Sequence, residues 1–133
     1  MYLLIVTGLS GAGKSLALRC LEEQGYFCVD NLPSSMLKEF VRLCKNADPA
    51  IQKAAVTIDS RESLLSRSSS SITDAFDTLD APFEILFLDA RDDVLKKRYN
   101  EVRRRHPLGE SGDANTGVKR ERVFLQPLRN RAN

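Results

Sequence analysis

The chain has 133 residues, of which 42% are hydrophobic and 29% are charged. This balance predicts one globular domain and excludes an intrinsically disordered chain. The formal net charge of +2 is too small to indicate nucleic-acid or membrane binding by itself. No apolar run reaches the length of a membrane helix, and the widely spaced cysteines match reduced thiols rather than a structural zinc site.

Short apolar segments alternate with amphipathic segments along the chain, which is the pattern of strands alternating with helices. In chain order we predict a strand at Tyr2–Thr7, a helix at Lys14–Gln24, a strand at Tyr26–Val29, a helix at Ser35–Lys45, a strand at Ala54–Ile58, a weakly patterned segment at Glu62–Leu79, a strand at Glu84–Leu88, a helix at Asp92–Arg105, a loop at Leu108–Thr116 and a helix at Val118–Ala132.

This alternation predicts an α/β protein with a mostly parallel sheet between two layers of helices. The alternation and the glycine-rich loop after the first strand together indicate the three-layer fold of P-loop NTPases, in its kinase-like form. A sheet of this kind commonly has a strand after the last helix, and none follows here. We therefore expect residues 1–133 to be the amino-terminal domain of a longer protein, ending before its last strand.

The first loop has the complete Walker A pattern, Gly8-x-x-x-x-Gly13-Lys14-Ser15. Glycines let backbone amides approach phosphates, and the following helix adds the positive end of its dipole. A lysine here reaches the β- and γ-phosphates of ATP or GTP, and the serine hydroxyl binds Mg²⁺. The predicted phosphate-binding residues are Gly8, Leu9, Ser10, Gly11, Ala12, Gly13, Lys14 and Ser15.

Three predicted strands end in a carboxylate, at Asp30, Asp59 and Asp89. Ligands of open α/β sheets bind beyond the carboxyl ends of the strands, so these acids are expected near the loop. Asp59 is the best candidate for a second magnesium ligand, although it could instead cap the next helix. Asp30 could orient an attacking water or an acceptor hydroxyl, or simply form a turn. For Asp89 a helix cap and a site role remain equally open.

A basic stretch follows the last predicted strand and contains Arg98, Arg103, Arg104 and Arg105. In small P-loop kinases an arginine-bearing lid closes over the phosphates and stabilises the transferring phosphoryl group. We select Arg98 as the candidate catalytic arginine, beside Lys14. The alternative is a solvated helix face, and His106 has no partner at an informative spacing.

Several longer segments resemble the RapZ/YvcJ family of nucleotide-binding proteins. The resembling segments are GLSGAGKS at Gly8–Ser15, QGYFCVDNLPSSML at Gln24–Leu37 and FLDARDDVLKKRYNEVRRRHPL at Phe87–Leu108, with the chain end ERVFLQPLRNRAN. The resemblance covers most of this chain but only the amino-terminal half of a typical member. It is far more specific than a Walker A loop alone.

The resemblance implies a cytoplasmic bacterial protein that binds and slowly hydrolyses ATP and GTP. Members also carry a short GTP segment after the third strand that usually begins D-x-R, and it corresponds here to Asp59, Ser60, Arg61 and Glu62. Asp59 and Arg61 match that pattern, whereas Glu62 stands where a small polar residue is commoner. In the RNase-adapter members, RNA recognition belongs to the carboxyl-terminal domain, which we expect to lie beyond residues 1–133.

Three functions are therefore open at this point. The first is a regulatory nucleotide-binding protein with weak NTPase activity, which the resemblance favours. The second is a small-molecule kinase, for which Asp30 and the lid arginines would also serve. The third is an RNA-binding adapter in which the nucleotide is only a signal. The sequence does not rank ATP against GTP, and a homo-oligomer stays open.

Overall fold

A parallel four-stranded sheet organises the chain in the computed structural model, which describes residues 1–65, 70–102 and 114–133. The strands are β1 (Tyr2–Gly8), β2 (Phe27–Val29), β3 (Lys53–Thr57) and β4 (Phe83–Leu88). The helices are α1 (Lys14–Glu23), α2 (Leu37–Asn46), α3 (Ser70–Asp77), α4 (Asp92–Val102) and α5 (Ala114–Asn130), and 3₁₀ turns lie at Ser34–Met36 and Ser60–Leu64.

The strand order is β2-β3-β1-β4, and every neighbouring pair is parallel. Strand β1 is therefore central, with Val6 opposite Thr57 of β3 and Gly8 opposite Leu88 of β4. Because all strands point the same way, the loops that follow them meet at one edge of the sheet. This edge holds the candidate site.

The core lies on both faces of the central strands. Successive residues of a strand point to opposite faces, and Ile5 and Val6 of β1 and Ala54 and Ala55 of β3 are all fully buried, as expected for strands covered by helices on each side. Buried side chains from the helices complete the core: Leu37, Val41, Ile72, Phe76, Leu95, Val118, Leu125 and Leu128. The predicted α/β fold and its parallel sheet are confirmed.

The last helix begins earlier than predicted. Residues 114–116 were expected to belong to a loop, but α5 includes them. Asn, Thr and Gly are weak helix formers, so propensity alone predicts a loop here. Gly117 and Val118 are buried, and this packing outweighs the local preference.

Smaller differences concern the helix after β2 and the segment after β3. The predicted helix at Ser35–Lys45 is a 3₁₀ turn followed by α2. The weakly patterned segment 62–79 contains the end of a second 3₁₀ turn and then α3. The predicted end of the fourth helix, with Arg103, Arg104 and Arg105, lies outside the described residues, as does His106 after it.

Pro127 lies inside α5, where it removes one intrahelical hydrogen bond from the carbonyl of Val123. The Val123 side chain is 77% exposed, so water can reach this part of the helix surface. No helix in the described part of the chain is both long and apolar enough to cross a membrane.

Candidate phosphate-binding site

The loop between β1 and α1 is built on glycines with positive φ angles. Gly8, Gly11 and Gly13 have φ values of 140°, 84° and 106°. Gly8 also runs against β4, and a Cβ atom there would lie 2.0 Å from the carbonyl oxygen of Leu88. The loop conformation therefore requires glycine for steric reasons as well as for its backbone angles.

Helix α1 begins inside this loop. Gly13 precedes its first residue, and no side chain of the described residues caps that end. The first-turn N–H groups of a helix have no intrahelical acceptors, and they carry the positive end of the helix dipole. The exposed side chain of Ser15 lies in the same turn. The loop can thus offer an anion several backbone donors and one hydroxyl.

Lys14 folds back over the loop. Its Nζ donates to the carbonyl oxygens of Gly8 at 2.9 Å and of Leu9 at 3.1 Å. Burial lowers the pKa of this ammonium from its ordinary value of 10.5, and the nearby carboxylates of Glu121, Asp59 and Asp30 act against that shift. A bound polyphosphate would add the negative charge that this partly desolvated cation needs.

Arg98 of α4 also contacts the loop. Its Nη1 donates to the carbonyl oxygen of Gly11 at 2.7 Å, and the rest of the side chain is exposed. Leu95, one turn earlier, is buried beneath the loop and anchors α4 against it. The structure therefore brings both predicted basic groups, Lys14 and Arg98, onto the Walker A loop.

Asp30 follows β2 and is joined to the end of β3 by Thr57. The Thr57 hydroxyl donates to Oδ1 of Asp30 and accepts the backbone N–H of Asn31 at 2.7 Å. Asn31 has a φ of 57°, a left-handed conformation that asparagine tolerates better than most residues. These bonds hold the Asp30 carboxylate at the edge of the sheet, exposed to solvent.

Asp59 follows β3 and pairs with Arg61. It accepts the backbone N–H of Arg61 at 2.9 Å, which caps the 3₁₀ turn, and it binds the guanidinium at 2.7 Å. This hydrogen bond raises the pKa of Arg61 above its usual value. Arg61 also donates to Oδ1 of Asn31 at 2.7 Å. Asp59 therefore caps the 3₁₀ turn. Its position at the sheet edge is also compatible with magnesium binding.

The other two residues of the expected GTP segment face inward. Ser60 and Glu62 are 0% and 8% exposed. The Ser60 hydroxyl donates to Glu121, and Glu62 accepts the backbone N–H of Ser34. Their side chains hold the 3₁₀ turn in place, so Arg61 is the side chain of this segment that faces solvent most.

A surface pocket of about 160 Å³ lies between the segments after β2 and β3. The residues around it are Asn31, Leu32, Pro33, Asp59, Arg61, Glu62 and Leu65. One guanidinium, an amide and two carboxylates line a partly apolar hollow beside Asp30. Such a hollow suits a small polar molecule.

The sequence reasoning did not find Glu121 of α5. This acid is fully buried, and it accepts from the backbone N–H of Ser10 at 2.8 Å and from the Ser10 hydroxyl at 2.7 Å. A signal was present, because Glu121 shares helical spacing with the apolar Val118, Leu125 and Leu128. An acid on an apolar helix face needs buried hydrogen-bond partners.

Asp89 connects the end of β4 to α5 through ion pairs. Arg122 of α5 binds its carboxylate at 2.9 Å and Asp92 at 2.6 Å, and Arg129 approaches Asp89 at 3.4 Å. These ion pairs attach α5 to the end of β4 and the start of α4. Of the three acids at strand ends, Asp30 and Asp59 are the two whose negative charge counteracts the lowering of the Lys14 pKa.

The oxygen donors at the loop suit a magnesium ion. Ser15 offers a hydroxyl and Asp59 a carboxylate, and Mg²⁺ prefers oxygen ligands, usually one or two from the protein, with phosphate and water completing its shell. Within residues 1–65, 70–102 and 114–133, no cluster of three or more acidic, histidine or cysteine side chains could hold a metal.

A central parallel strand that runs into a Walker A loop and then a helix defines a P-loop protein with a kinase-like fold. The family model of the RapZ-like N-terminal domain matches residues 1–133. The chain belongs to this family, as its sequence resemblance predicted.

The curated relatives of this chain are named nucleotide-binding proteins. A nucleotide-binding protein of Clostridium botulinum (strain Eklund 17B / Type B) is 46% identical over 99% of this chain and 45% of its own length. A nucleotide-binding protein of Desulfitobacterium hafniense (strain DSM 10664 / DCB-2) is 48% identical over 96% of this chain and 43% of its own length. The chain therefore spans less than half the length of these relatives.

A solved structure has a similar fold. The unliganded crystal structure of a sugar kinase from Janibacter sp. HTCC2649 superposes with a TM-score of 0.54 at 14% identity, covering 100% of this chain and 99% of that one. At this identity the likeness concerns the fold alone.

Proposed function

We propose that this domain binds ATP and GTP at Gly8–Ser15 together with Mg²⁺, and that it hydrolyses them slowly in a regulatory role in the cytoplasm. The observation that carries the proposal is the loop itself. Its three positive-φ glycines, the uncapped start of α1 and Lys14 form a cationic cradle of backbone and side-chain donors. The relatives' printed name, nucleotide-binding protein, supports the same function.

Each charged residue at the edge then has a defined task. Lys14 exchanges its contacts with the loop carbonyls for the β- and γ-phosphate oxygens. Ser15 and Asp59 would hold Mg²⁺, which neutralises charge on the phosphates when bound. Arg98 stabilises negative charge at the γ-phosphate from the opposite side. Asp30, whose Oδ1 is oriented by Thr57, positions the attacking water.

The way these groups are engaged supports slow turnover. Lys14 is bonded to Gly8 and Leu9, and Asp59 is bonded to Arg61. Both must give up existing partners before they can act on a nucleotide. A site that needs this rearrangement suits a protein that senses nucleotides better than it suits a fast enzyme.

Replacing Lys14 tests the binding half of the proposal. We expect Lys14→Ala to weaken nucleotide affinity about hundredfold, because two charge-assisted hydrogen bonds to phosphate are lost. The measurement is titration with a fluorescent ADP or GDP analogue. Lys38→Ala, which removes an exposed lysine of α2, is the control and should bind normally. Unaltered affinity in Lys14→Ala would show that the loop is not the nucleotide site.

A small-molecule kinase is the second candidate, and the pocket beside Asp30 is the observation that favours it. Asn31, Arg61 and Glu62 line this pocket and could bind a hydroxylated acceptor. Phosphate release distinguishes the two functions. Turnover of ATP and GTP without acceptor supports the regulatory NTPase, whereas turnover that requires an added hydroxyl metabolite supports the kinase.

A further inference from the structure

Glu121 joins two parts of the site that are far apart along the chain. Its Oε1 accepts the backbone N–H of Ser10, which is 111 positions away, and its Oε2 accepts the Ser10 hydroxyl. The same Oε2 accepts the hydroxyl of Ser60, 61 positions away. One carboxylate oxygen is therefore shared by the Walker A loop and by the 3₁₀ turn after β3.

The position of this acid makes the contact strong. Glu121 is 0% exposed, and a buried carboxylate is stable only when donors surround it. Hydrogen bonds to an ionised acceptor in such a place are stronger than those between neutral groups. A movement of Ser10 therefore changes the environment of the same oxygen that binds Ser60.

The two connected segments carry the groups that would meet a ligand. Ser10 lies in the loop with Lys14, whereas Ser60 lies between Asp59 and Arg61. The charge of Glu121 also acts directly on Lys14. The Glu121 carboxylate thus contacts the Walker A loop at Ser10 and holds the 3₁₀ turn that carries Arg61 at Ser60.

We propose that Glu121 is a positioning residue that couples the Walker A loop to the Asp59–Arg61 wall, so that phosphate binding and ligand binding at Arg61 influence each other. The inference rests on the proposed nucleotide site. Coupling between two sites is reciprocal. A ligand at Arg61 therefore changes the affinity for the polyphosphate by the same factor by which the polyphosphate changes the affinity for that ligand. A residue that merely anchors α5 in the core would produce no such effect.

A double-mutant cycle on the full chain tests the coupling. The affinity for a fluorescent ADP analogue is measured for the wild type, Glu121→Gln, Arg61→Ala and the double variant. Glutamine keeps the shape of the side chain and removes its charge. We expect Glu121→Gln to weaken binding about tenfold, within the usual range for coupled sites. Arg61→Ala should weaken wild-type binding but add little in the Glu121→Gln background.

Controls separate positioning from stability. Circular dichroism and the melting temperature report whether each variant is folded, and Glu23→Gln makes the same change at an exposed glutamate of α1. If Glu121→Gln does not fold, Ser60→Ala replaces it in the cycle, with Ser35→Ala as the exposed serine control. We expect Ser60→Ala to lower nucleotide affinity about fivefold although it leaves the Walker A loop intact.

The outcomes distinguish this inference from the proposed function. Unaltered affinity in Glu121→Gln or in Arg61→Ala, or losses that simply multiply in the double variant, overturns the coupling alone. A wild-type chain that is folded but binds neither ADP nor GDP overturns the nucleotide site itself.

Discussion

The two walls of the candidate site are built in different ways. The first wall is the Walker A loop. It consists mainly of backbone, shaped by Gly8, Gly11 and Gly13 and by the start of α1. The second wall consists of side chains from the segments after β2 and β3, in which Arg61 bonds to both Asp59 and Asn31. A backbone cradle depends on local conformation, whereas a side-chain wall depends on how distant segments pack. We therefore expect substitutions in the first wall to affect folding and anion binding directly, and those in the second to affect chemistry most strongly and anion binding only through Glu121.

The largest effect is expected at Gly8 and concerns stability. A Cβ atom there would clash with the carbonyl of Leu88, so Gly8→Ala should lower the free energy of unfolding by about 3 kcal/mol. Gly13→Ala is the matched control, because a Cβ at that position meets nothing within 4 Å. Its cost should be about 1 kcal/mol, from the backbone angle alone. Denaturant unfolding measures both, and equal losses would contradict the close approach of loop and β4.

The next effect, at Asp59, separates chemistry from folding in the second wall. Asp59→Asn removes a candidate magnesium ligand, so Mg²⁺-dependent phosphate release should fall about hundredfold. Asparagine still caps the 3₁₀ turn, and the Arg61 partner of the ion pair is 54% exposed, so the stability should change by less than about 1 kcal/mol.

The control for Asp59 is Asp77 of α3. Asp77→Asn also removes one partner of an ion pair, with Arg131 at 2.8 Å, and should leave phosphate release unchanged. Equal losses of stability and turnover in Asp59→Asn would show that Asp59 has a purely structural role.

Arg98 tests whether α4 contributes to the first wall. We expect Arg98→Ala to lower the rate of ATP and GTP hydrolysis about tenfold, which corresponds to one charge-assisted hydrogen bond from an exposed guanidinium. Steady-state phosphate release measures it. Lys97→Ala changes the neighbouring exposed cation and should hydrolyse at the wild-type rate. If both variants are equally slow, general surface charge explains the effect rather than the contact with Gly11.

The smallest expected effect is the pH dependence that Lys14 gives to stability. Burial lowers the pKa of its ammonium below 10.5 in the folded chain. Between the folded value and 10.5 the unfolded chain binds more protons, so stability rises with pH in that window. The difference in unfolding free energy between the wild type and Lys14→Met should therefore shift in favour of the wild type as the pH approaches 10.5. A difference that does not vary with pH would contradict the lowered pKa.

Much of the first wall could be predicted from the sequence because its signals are local. An apolar run, a spaced glycine pattern and an amphipathic segment together predicted β1, the loop and α1. Parallel strand direction also placed Asp30 and Asp59 at the same edge. The start of α5 at Ala114 was predicted wrongly, since the burial of Gly117 and Val118 outweighs weak helix propensity.

The second wall could not be predicted in the same way. Asp59 and Arg61 were singled out, but nothing local indicates that Thr57 orients Asp30 or that Asn31 binds Arg61. Glu121 was missed, although an acid among apolar positions of a helix would have indicated a buried partner. The identity of that partner depends on contacts across the whole chain.

The amino-acid order by itself determined the fold class, the family and the Walker A loop, because hydrophobic periodicity and glycine conformations act over a few neighbouring residues. Only the tertiary structure decided which side chains meet at the sheet edge. Ser10, Ser60 and Glu121 lie far apart along the chain, and packing of α5 against the sheet brings them together. A buried carboxylate must find donors wherever the fold supplies them, and local sequence carries no record of that choice.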